Sequence, residues 1–316
     1  MDSIHFGTDG WRAIIGQDFN YRSAARVADA VARVFREDNP CVELDEADGS
    51  GNMIDSASLT FAKKPNTVLI GYDTRKDAGR YAALVATIIA SYGFDVQVSR
   101  TYCPTPALCW SVSVNPAAVG GLMLTSSHNP AEYLGIKVRM IDGGAAPSEF
   151  TDRIETALHD ELPQTISAAV DAFDNAINGT GDRPADTSAF TFNFHYADLM
   201  SPYLDTLLSA VDSELIARAG LRVVVDPLFG AGRRYLLQVL THLGVEVEEI
   251  HATEDPTFDG LHPEPIPPWI DGGVVKVKEL GYDACFITDG DADRVAAIDD
   301  QGNFVSPQRI LTLLIA

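Results

Sequence analysis

The sequence has few cysteines and few basic residues, and both shortages exclude classes of protein. Its 316 residues include four cysteines with no C-x-x-C spacing among them, which argues against a zinc site or a disulfide scaffold. Lysine and arginine total 23 against 45 acidic residues, so the formal net charge is −22. Because no basic patch offsets this charge, we expect no binding to nucleic acid or to an anionic membrane.

Long apolar runs are also missing. No uninterrupted apolar stretch is long enough to cross a bilayer, and the first residues form no basic and apolar leader. We therefore expect a cytoplasmic protein. Its length is sufficient for two domains that each have a core of their own.

Short apolar runs alternate with amphipathic stretches along the chain, which is typical of α/β units. The predicted strands lie at residues 68–72, 95–98, 121–124, 221–225, 245–250 and 282–288. The predicted helices lie at residues 24–35, 82–90, 199–211 and 236–243, and a further helix begins at Ser306 and Pro307. This order predicts two consecutive α/β domains with mixed sheets between helices.

Two polar segments interrupt this alternation. Residues 38–66 have little periodicity, so we predict a loop or insertion there. Residues 178–184, with the sequence N-G-T-G-D-R-P, are the best candidate for the end of the first domain.

The segment T-S-S-H-N-P at residues 125–130 follows a predicted strand and offers a hydroxyl nucleophile at Ser127. Ligands of open α/β sheets usually bind at the carboxyl ends of the strands. An ordinary capped turn and a hydrolase nucleophile are the alternatives, but the G-x-S-x-G elbow is absent. Since adjacent residues rarely face each other as a catalytic Ser-His pair must, we expect His128 to hold the loop or contact phosphate.

The segment D-G-D-A-D-R at residues 289–294 places three carboxylates at alternate positions. At about 4 Å and an intermediate dielectric, each pair of carboxylates repels by roughly 4 kcal/mol, which a divalent cation such as Mg²⁺ relieves. Arg294 is placed to hold a phosphate. An EF-hand calcium loop is the alternative, but it requires glycine and glutamate where Arg294 and Asp300 stand.

Four motifs together resemble those of the α-D-phosphohexomutase superfamily, the phosphoglucomutases and phosphomannomutases. Residues 6–13 (F-G-T-D-G-W-R-A) are similar to F-G-T-x-G-x-R-G, with Ala13 in place of the last glycine. Residues 125–130 resemble T-A-S-H-N-P with Ser126 for alanine, and residues 133–137 resemble Y-N-G-I-K with Leu134 for asparagine. Residues 289–294 match D-G-D-x-D-R at every specified position.

The resemblance implies an isomerase that interconverts hexose 1-phosphate and hexose 6-phosphate through a phosphoserine and a bisphosphorylated sugar. It aligns Ser127 with the phosphorylated serine, and the metal ligands would be Ser127, Asp289, Asp291 and Asp293 on Mg²⁺. The other catalytic candidates are His128, Lys137 and Arg12, and Arg294 is the candidate for substrate binding. Lys137 is a candidate general base only if its pKa is depressed. Glucose 1,6-bisphosphate or an equivalent is the expected activator.

The resemblance also predicts domain bounds: a first domain at residues 1–190, a second at 191–299 and the start of a third at 300–316. Since the family has four domains, we expect a fragment with little activity alone. Glucose and mannose phosphates are the expected substrates. The alternatives are a phosphoglucosamine mutase and a non-catalytic metal-binding relative. Oligomeric state is left open.

Overall fold

The computed structural model describes residues 4–7, 9–39, 65–178 and 194–315. Most of the predicted loop at 38–66 and of the predicted break at 178–184 lies outside these ranges. Within them, no helix is long and apolar enough to span a membrane.

The first sheet has six strands in the order β1-β5-β4-β2-β3-β6. The strands are β1 (Trp11–Ile14), β2 (Thr67–Tyr72), β3 (Asp95–Ser99), β4 (Ala118–Leu124), β5 (Tyr133–Arg139) and β6 (His195–Ala197). β4, β2, β3 and β6 run parallel, whereas β5 is antiparallel to both β4 and β1. The sheet is therefore mixed, and β6, which follows the predicted boundary at residue 190, pairs with β3.

Helices cover both faces of this sheet. They are α1 (Tyr21–Asp38), α2 (Ala78–Ser91), α3 (Thr105–Val114), α4 (Ser148–Ala157) and α5 (Gln164–Asn178). α1 begins at a capping box in which Asn20 and Ser23 each accept a hydrogen bond from the other's backbone. Its buried stripe packs with α2, α4 and α5 in the larger core, and α3 belongs to a second core.

The second sheet has five strands in the order β11-β10-β9-β7-β8. They are β7 (Arg222–Asp226), β8 (Glu246–Glu249), β9 (Ala284–Thr288), β10 (Val295–Asp299) and β11 (Phe304–Val305). β9, β7 and β8 are parallel, and β10 is antiparallel to β9 and β11. The helices of this unit are α6 (Met200–Ser209), α7 (Ser213–Ala219), α8 (Tyr235–His242), α9 (Asp271–Leu280) and α10 (Pro307–Ile315).

The predicted fold class is confirmed: two consecutive α/β units have mixed sheets between helices. All six predicted strands are present, and only the starts of β4 and β9 differ from the prediction by more than one residue. The strands that the sequence analysis did not predict include β1 and β5, in which Arg12 and Lys137 interrupt the apolar residues. Their pairing places both residues beside the carboxyl end of β4.

Candidate active site

The serine loop leaves the carboxyl end of β4 in a strained conformation. Ser127 is 1% exposed and has a left-handed φ of 53°. This backbone conformation is energetically unfavourable for residues other than glycine, and it is often found at functional sites. The backbone N–H of Ser127 donates to the Oγ1 atom of Thr125 at 2.8 Å. The loop that bears Ser127 is therefore held by its own first residue.

A buried ion pair holds the serine loop in place. Arg75 donates through Nε to Asp73 Oδ2 at 3.0 Å, and Thr125 Oγ1 donates to the same oxygen at 2.6 Å. The Nη1 and Nη2 groups of Arg75 donate to the backbone carbonyls of Ser127, Asn129, Pro130 and Tyr133. Sequence reasoning recognised no role for Arg75 in the site, although two charges directly after a strand were a signal of it.

The aspartate loop connects β9 to β10 in a tight turn. Asp289 Oδ1 accepts the backbone N–H groups of Asp293 and Arg294 at 3.0 and 3.1 Å. One oxygen from each of Asp289, Asp291 and Asp293 lies within 4.8 Å of the others. The spacing predicted this convergence, and the turn produces it.

The three carboxylates fit a hard divalent cation. Burial together with the charges of Asp291 and Asp293 raises the pKa of Asp289 well above its usual range. Asp291 Oδ1 is buried and has no hydrogen-bond partner among the described residues. Since a buried carboxylate oxygen without a partner is costly, this atom is a ready ligand for Mg²⁺.

Two glycines allow the serine loop and the aspartate loop to meet. Ser127 Oγ donates to Asp289 Oδ2 at 2.9 Å across 162 positions of the sequence. A Cβ at Gly290 would lie 2.4 Å from the carbonyl oxygen of Ser127, and a Cβ at Gly230 would lie 2.7 Å from that of Gly290. Gly230 belongs to the turn between β7 and α8, where it packs against the aspartate loop.

Lys137 lies on β5 with its ammonium among carboxylates. Its Nζ atom is 2.8 Å from Asp291, 3.0 Å from Asp293 and 2.9 Å from Asp9. Burial favours the neutral amine, but the charges of these aspartates outweigh it and raise the pKa of Lys137. The depressed pKa that a general base needs is not found, so this arrangement does not support the conditional role as a base.

His128 is closer to the serine than its sequence position suggested. Its Nδ1 atom lies 3.4 Å from Ser127 Oγ, so the expectation that the two side chains do not face each other was wrong. The left-handed conformation of Ser127 turns the two side chains toward one another. Burial and the charge of Arg294 lower the pKa of His128. The shorter hydrogen bond of the serine is still the one to Asp289.

The two arginines singled out by sequence lie at the edge of this cluster. Arg294 is 3.4 Å from Glu264 and borders a cavity of about 670 Å³. Arg12 stands on β1 opposite Gly135 and is half-buried, and its Nε has no partner among the described residues. Its charge also lowers the pKa of His128, after the effects of burial and Arg294. In the described part of the chain, Arg12 makes no hydrogen bond to Ser127.

Thr105 and Asp9 are site residues that the sequence analysis missed. Thr105 donates through Oγ1 to Asp291 Oδ2 at 2.5 Å, and its backbone N–H donates to the Asp291 carbonyl at 2.9 Å. Asp9 accepts from both Lys137 and Arg139 at 2.9 Å. Thr105 was not among the predicted site residues, because nothing in the neighbouring sequence shows that it contacts a loop 186 positions away.

Two family models match the chain. The model for phosphoglucomutase/phosphomannomutase alpha/beta/alpha domain I matches residues 49–164, and the model for domain II matches residues 201–302. A phosphoglucomutase/phosphomannomutase of Thermococcus kodakarensis is 31% identical over 247 residues, which are 78% of this chain and 49% of that protein. A phosphoglucosamine/phosphogalactosamine mutase of Sulfurisphaera tokodaii is 28% identical over 98% of this chain and 58% of its own length.

A solved structure of a similar protein supports the same family. The crystal structure of a candidate phosphomannomutase from Thermus thermophilus has a TM-score of 0.79 and 27% identity, with 99% of this chain and 61% of that chain covered. The chain thus spans about half to three fifths of the length of these relatives. The matched models, the relatives and the fold agree, and the chain belongs to the α-D-phosphohexomutase superfamily of phosphoglucomutases and phosphomannomutases.

Proposed function

We propose that this chain carries the phosphoryl-transfer site of a hexose phosphate mutase, with Ser127 as the residue that is phosphorylated. The observation that carries the proposal is the hydrogen bond of 2.9 Å between Ser127 Oγ and Asp289 Oδ2. It joins the predicted loop that bears the nucleophile to the predicted loop that bears the carboxylate cluster. The family assignment supports the same chemistry.

The proposed reaction transfers a phosphoryl group from Ser127 to a hydroxyl of a hexose monophosphate. The bond between phosphorus and the serine oxygen breaks, the bond to the sugar oxygen forms, and the hydroxyl proton passes, in net terms, to the serine oxygen. The bisphosphorylated sugar then reorients and returns its other phosphoryl group to Ser127. One positional isomer of the sugar phosphate is thereby converted to the other.

The residues around Ser127 supply positive charge to this transfer. Lys137, with its raised pKa, keeps its proton and offers an ammonium within 3.0 Å of Asp291 and Asp293. Arg294 borders the neighbouring cavity and is proposed to bind the phosphate that is not transferred. Asp289, Asp291, Asp293 and a phosphoserine oxygen would hold Mg²⁺, which supplies Lewis-acid neutralisation of phosphoryl charge when bound.

Glucose and mannose phosphates are the proposed substrates, with glucose 1,6-bisphosphate as the activator that loads Ser127. The phosphoglucosamine/phosphogalactosamine mutase among the relatives makes glucosamine phosphate the second substrate to test. The chain covers 49% of the Thermococcus kodakarensis relative and 58% of the Sulfurisphaera tokodaii relative. We therefore expect the 316 residues alone to accept a phosphoryl group but to isomerise sugar phosphates slowly.

The test is an intact mass before and after incubation with glucose 1,6-bisphosphate and Mg²⁺, followed by peptide mapping of the phosphate. One added phosphate on Ser127, absent from Ser127→Ala, is the expected result. Ser126→Ala is the matched control, since it removes a neighbouring hydroxyl that has no hydrogen-bond partner among the described residues. Phosphate on another residue, or none on a chain that binds Mg²⁺, would contradict the proposal.

A further inference from the structure

A second cavity, of about 660 Å³, lies at the carboxyl ends of β2 and β3. The first turn of α2 forms one wall, and Arg233 and Glu254 from the second unit close the other side. Neither Ser127 nor the three clustered aspartates are among the described residues that line it. Arg75 lies between this cavity and the serine site, since it borders the cavity and also donates to the Ser127 carbonyl at 2.7 Å.

Positive charge is concentrated in this cavity, although the whole chain carries −22. Four arginines and three carboxylates line it, and two of those carboxylates are already paired. Asp73 lies 3.0 Å from Arg75, and Asp77 lies 3.3 Å from Arg80. The remaining charges are two arginines, at positions 100 and 233, against the single carboxylate of Glu254. An anionic ligand is therefore favoured here.

Arg233 is a buried cation without a full set of partners. It is 5% exposed, and its Nη1 atom has no hydrogen-bond partner in the described part of the chain. Its guanidinium lies over the ring of Tyr102, 4.9 Å from the ring centre, and its Nε lies 3.4 Å from the Tyr102 hydroxyl. A buried donor left without an acceptor is costly, so Arg233 points to an acceptor supplied by a ligand.

The start of α2 adds a second feature suited to anions. Asp77, directly before this 14-residue helix, has a left-handed φ of 58° and makes no side-chain hydrogen bond to the helix end. Ala78 and Gly79 of the first turn border the cavity. The N–H groups of a first turn carry partial positive charge and commonly bind phosphate.

Aromatic side chains determine what else fits. Tyr72, Tyr102 and Tyr196 line the same cavity, and its volume lies within the range of roughly 300–1,000 Å³ usual for small-molecule sites. A flat ring attached to a phosphate would contact the tyrosine faces, while the arginines held its charge.

We propose that this cavity binds the phosphate group of a small molecule, separately from the site at Ser127. Arg100 and Arg233 pair with the phosphate, the partial positive charge at the start of α2 favours it, and the tyrosines favour a planar organic phosphate over free phosphate. This site does not depend on the mutase function proposed above.

Isothermal titration calorimetry of the 316-residue chain at low ionic strength tests the site with two probes, adenosine monophosphate and inorganic phosphate. Arg100→Ala and Arg233→Lys are expected to weaken binding about ten-fold, the effect of losing one good charged hydrogen bond. Arg218→Ala, which removes an exposed arginine from the last turn of α7, is the matched control for charge. Arg294→Ala reports any binding at the serine site.

Tighter binding of the nucleotide is the expected result and identifies an organic phosphate as the ligand, whereas equal binding identifies free phosphate and refutes the contribution of the tyrosines. Both results support a phosphate site if Arg100→Ala weakens the binding and if Arg218→Ala and Arg294→Ala leave it unchanged. No binding of either probe overturns the proposal. It is equally overturned if Arg294→Ala abolishes the heat, or if Arg100→Ala has no larger effect than Arg218→Ala.

Discussion

At the scale of single residues, the conformation of the serine loop depends on a buried charge whose partners are mainly backbone carbonyls. Arg75 shows this most clearly, because its guanidinium reaches three carbonyls of the serine loop and that of Tyr133 at the start of β5, while its Nε pairs with Asp73. The planar fork of arginine can serve several acceptors in fixed directions, whereas an ammonium cannot. We therefore assign Arg75 the role of positioning Ser127.

Arg75→Lys keeps the charge but has three donors in place of the five hydrogen bonds that the guanidinium makes, so at least two are lost. We expect the free energy of unfolding to fall by about 3 kcal/mol, the loss of two hydrogen bonds to a charged group. Phosphorylation of Ser127 should slow in parallel, because the loop is no longer held. Urea denaturation and time-resolved intact mass measure the two effects. Arg80→Lys on α2 is the control, and equal losses in both variants would refute the positioning role.

His251 and Asp226 form a pH-sensitive pair in the second unit. His251 Nδ1 lies 2.8 Å from Asp226 Oδ1, and this hydrogen bond raises the pKa of His251 despite its partial burial. A raised pKa in the folded state means that the pair stabilises the fold fully below the unfolded pKa of about 6.5. That stabilisation is lost as pH rises through the folded pKa.

We expect the free energy of unfolding of the native chain to decrease by about 1 kcal/mol between pH 6 and pH 8 through this pair. His251→Gln should remove that component, and His242→Gln, at an exposed position in the last turn of α8, should leave it intact. Chemical denaturation at each pH provides the values. An unchanged pH dependence in His251→Gln would show that the pair contributes nothing.

At the scale of elements, the site is made by loops at strand ends that approach closely. The serine loop follows β4, the aspartate loop joins β9 to β10, and the turn after β7 lies beneath them. Side chains at the contact points would hold the loops apart. Gly290 is therefore required by distance and not by its own backbone angles.

Gly290→Ala tests this contact. Its Cβ would lie 2.4 Å from the Ser127 carbonyl oxygen, so the loops must separate and the hydrogen bond of 2.9 Å to Asp289 must lengthen. A displacement near 1 Å lowers a transfer rate about 100-fold, and we expect that loss in Ser127 phosphorylation by mass spectrometry.

Gly281→Ala is the control for backbone strain alone. Gly281 ends α9 with a φ of +62°, and a Cβ there meets nothing within 4 Å. We expect a loss of about 1–2 kcal/mol in unfolding free energy with normal phosphorylation. If Gly290→Ala were phosphorylated as fast as Gly281→Ala, close approach of the loops would not matter.

At the scale of the whole molecule, residues from both α/β units form one charged cluster. Lys137 on β5 bridges Asp291 and Asp293, and Thr105 at the start of α3 binds the same Asp291. Metal binding at the aspartates should therefore stabilise the chain as a whole, since a ligand that binds only the folded state adds to its stability.

Mg²⁺ at 100 times its dissociation constant should raise the free energy of unfolding by about 2.7 kcal/mol. Thermal unfolding with and without Mg²⁺ measures the shift. Asp293→Asn should abolish it by removing one ligand charge, and Asp300→Asn, an exposed position beyond β10, should not. An equal Mg²⁺ shift in the two variants would place the metal elsewhere.

The sequence alone was sufficient for about half of the strands and helices that the structure describes, and for the two loops that bear the chemistry. Hydrophobic periodicity and spacing are local properties, so D-G-D-A-D-R predicted convergent carboxylates and the residues before Ser127 predicted a strand. The strands carrying Arg12 and Lys137 were missed, because these charged residues interrupt their apolar pattern, and each strand is held in the sheet by pairing, β1 with β5 and β5 with β4.

Only the tertiary structure decided which of these residues act together. Ser127 and Asp289 meet across 162 positions, and Thr105 meets Asp291 across 186. The charge of Lys137 follows from three aspartates around it, which raise its pKa where a base would need it lowered. Contacts between distant segments depend on how the two α/β units pack together, and burial then determines how strongly neighbouring charges interact. The spacing of neighbouring residues in the sequence determines neither of these properties.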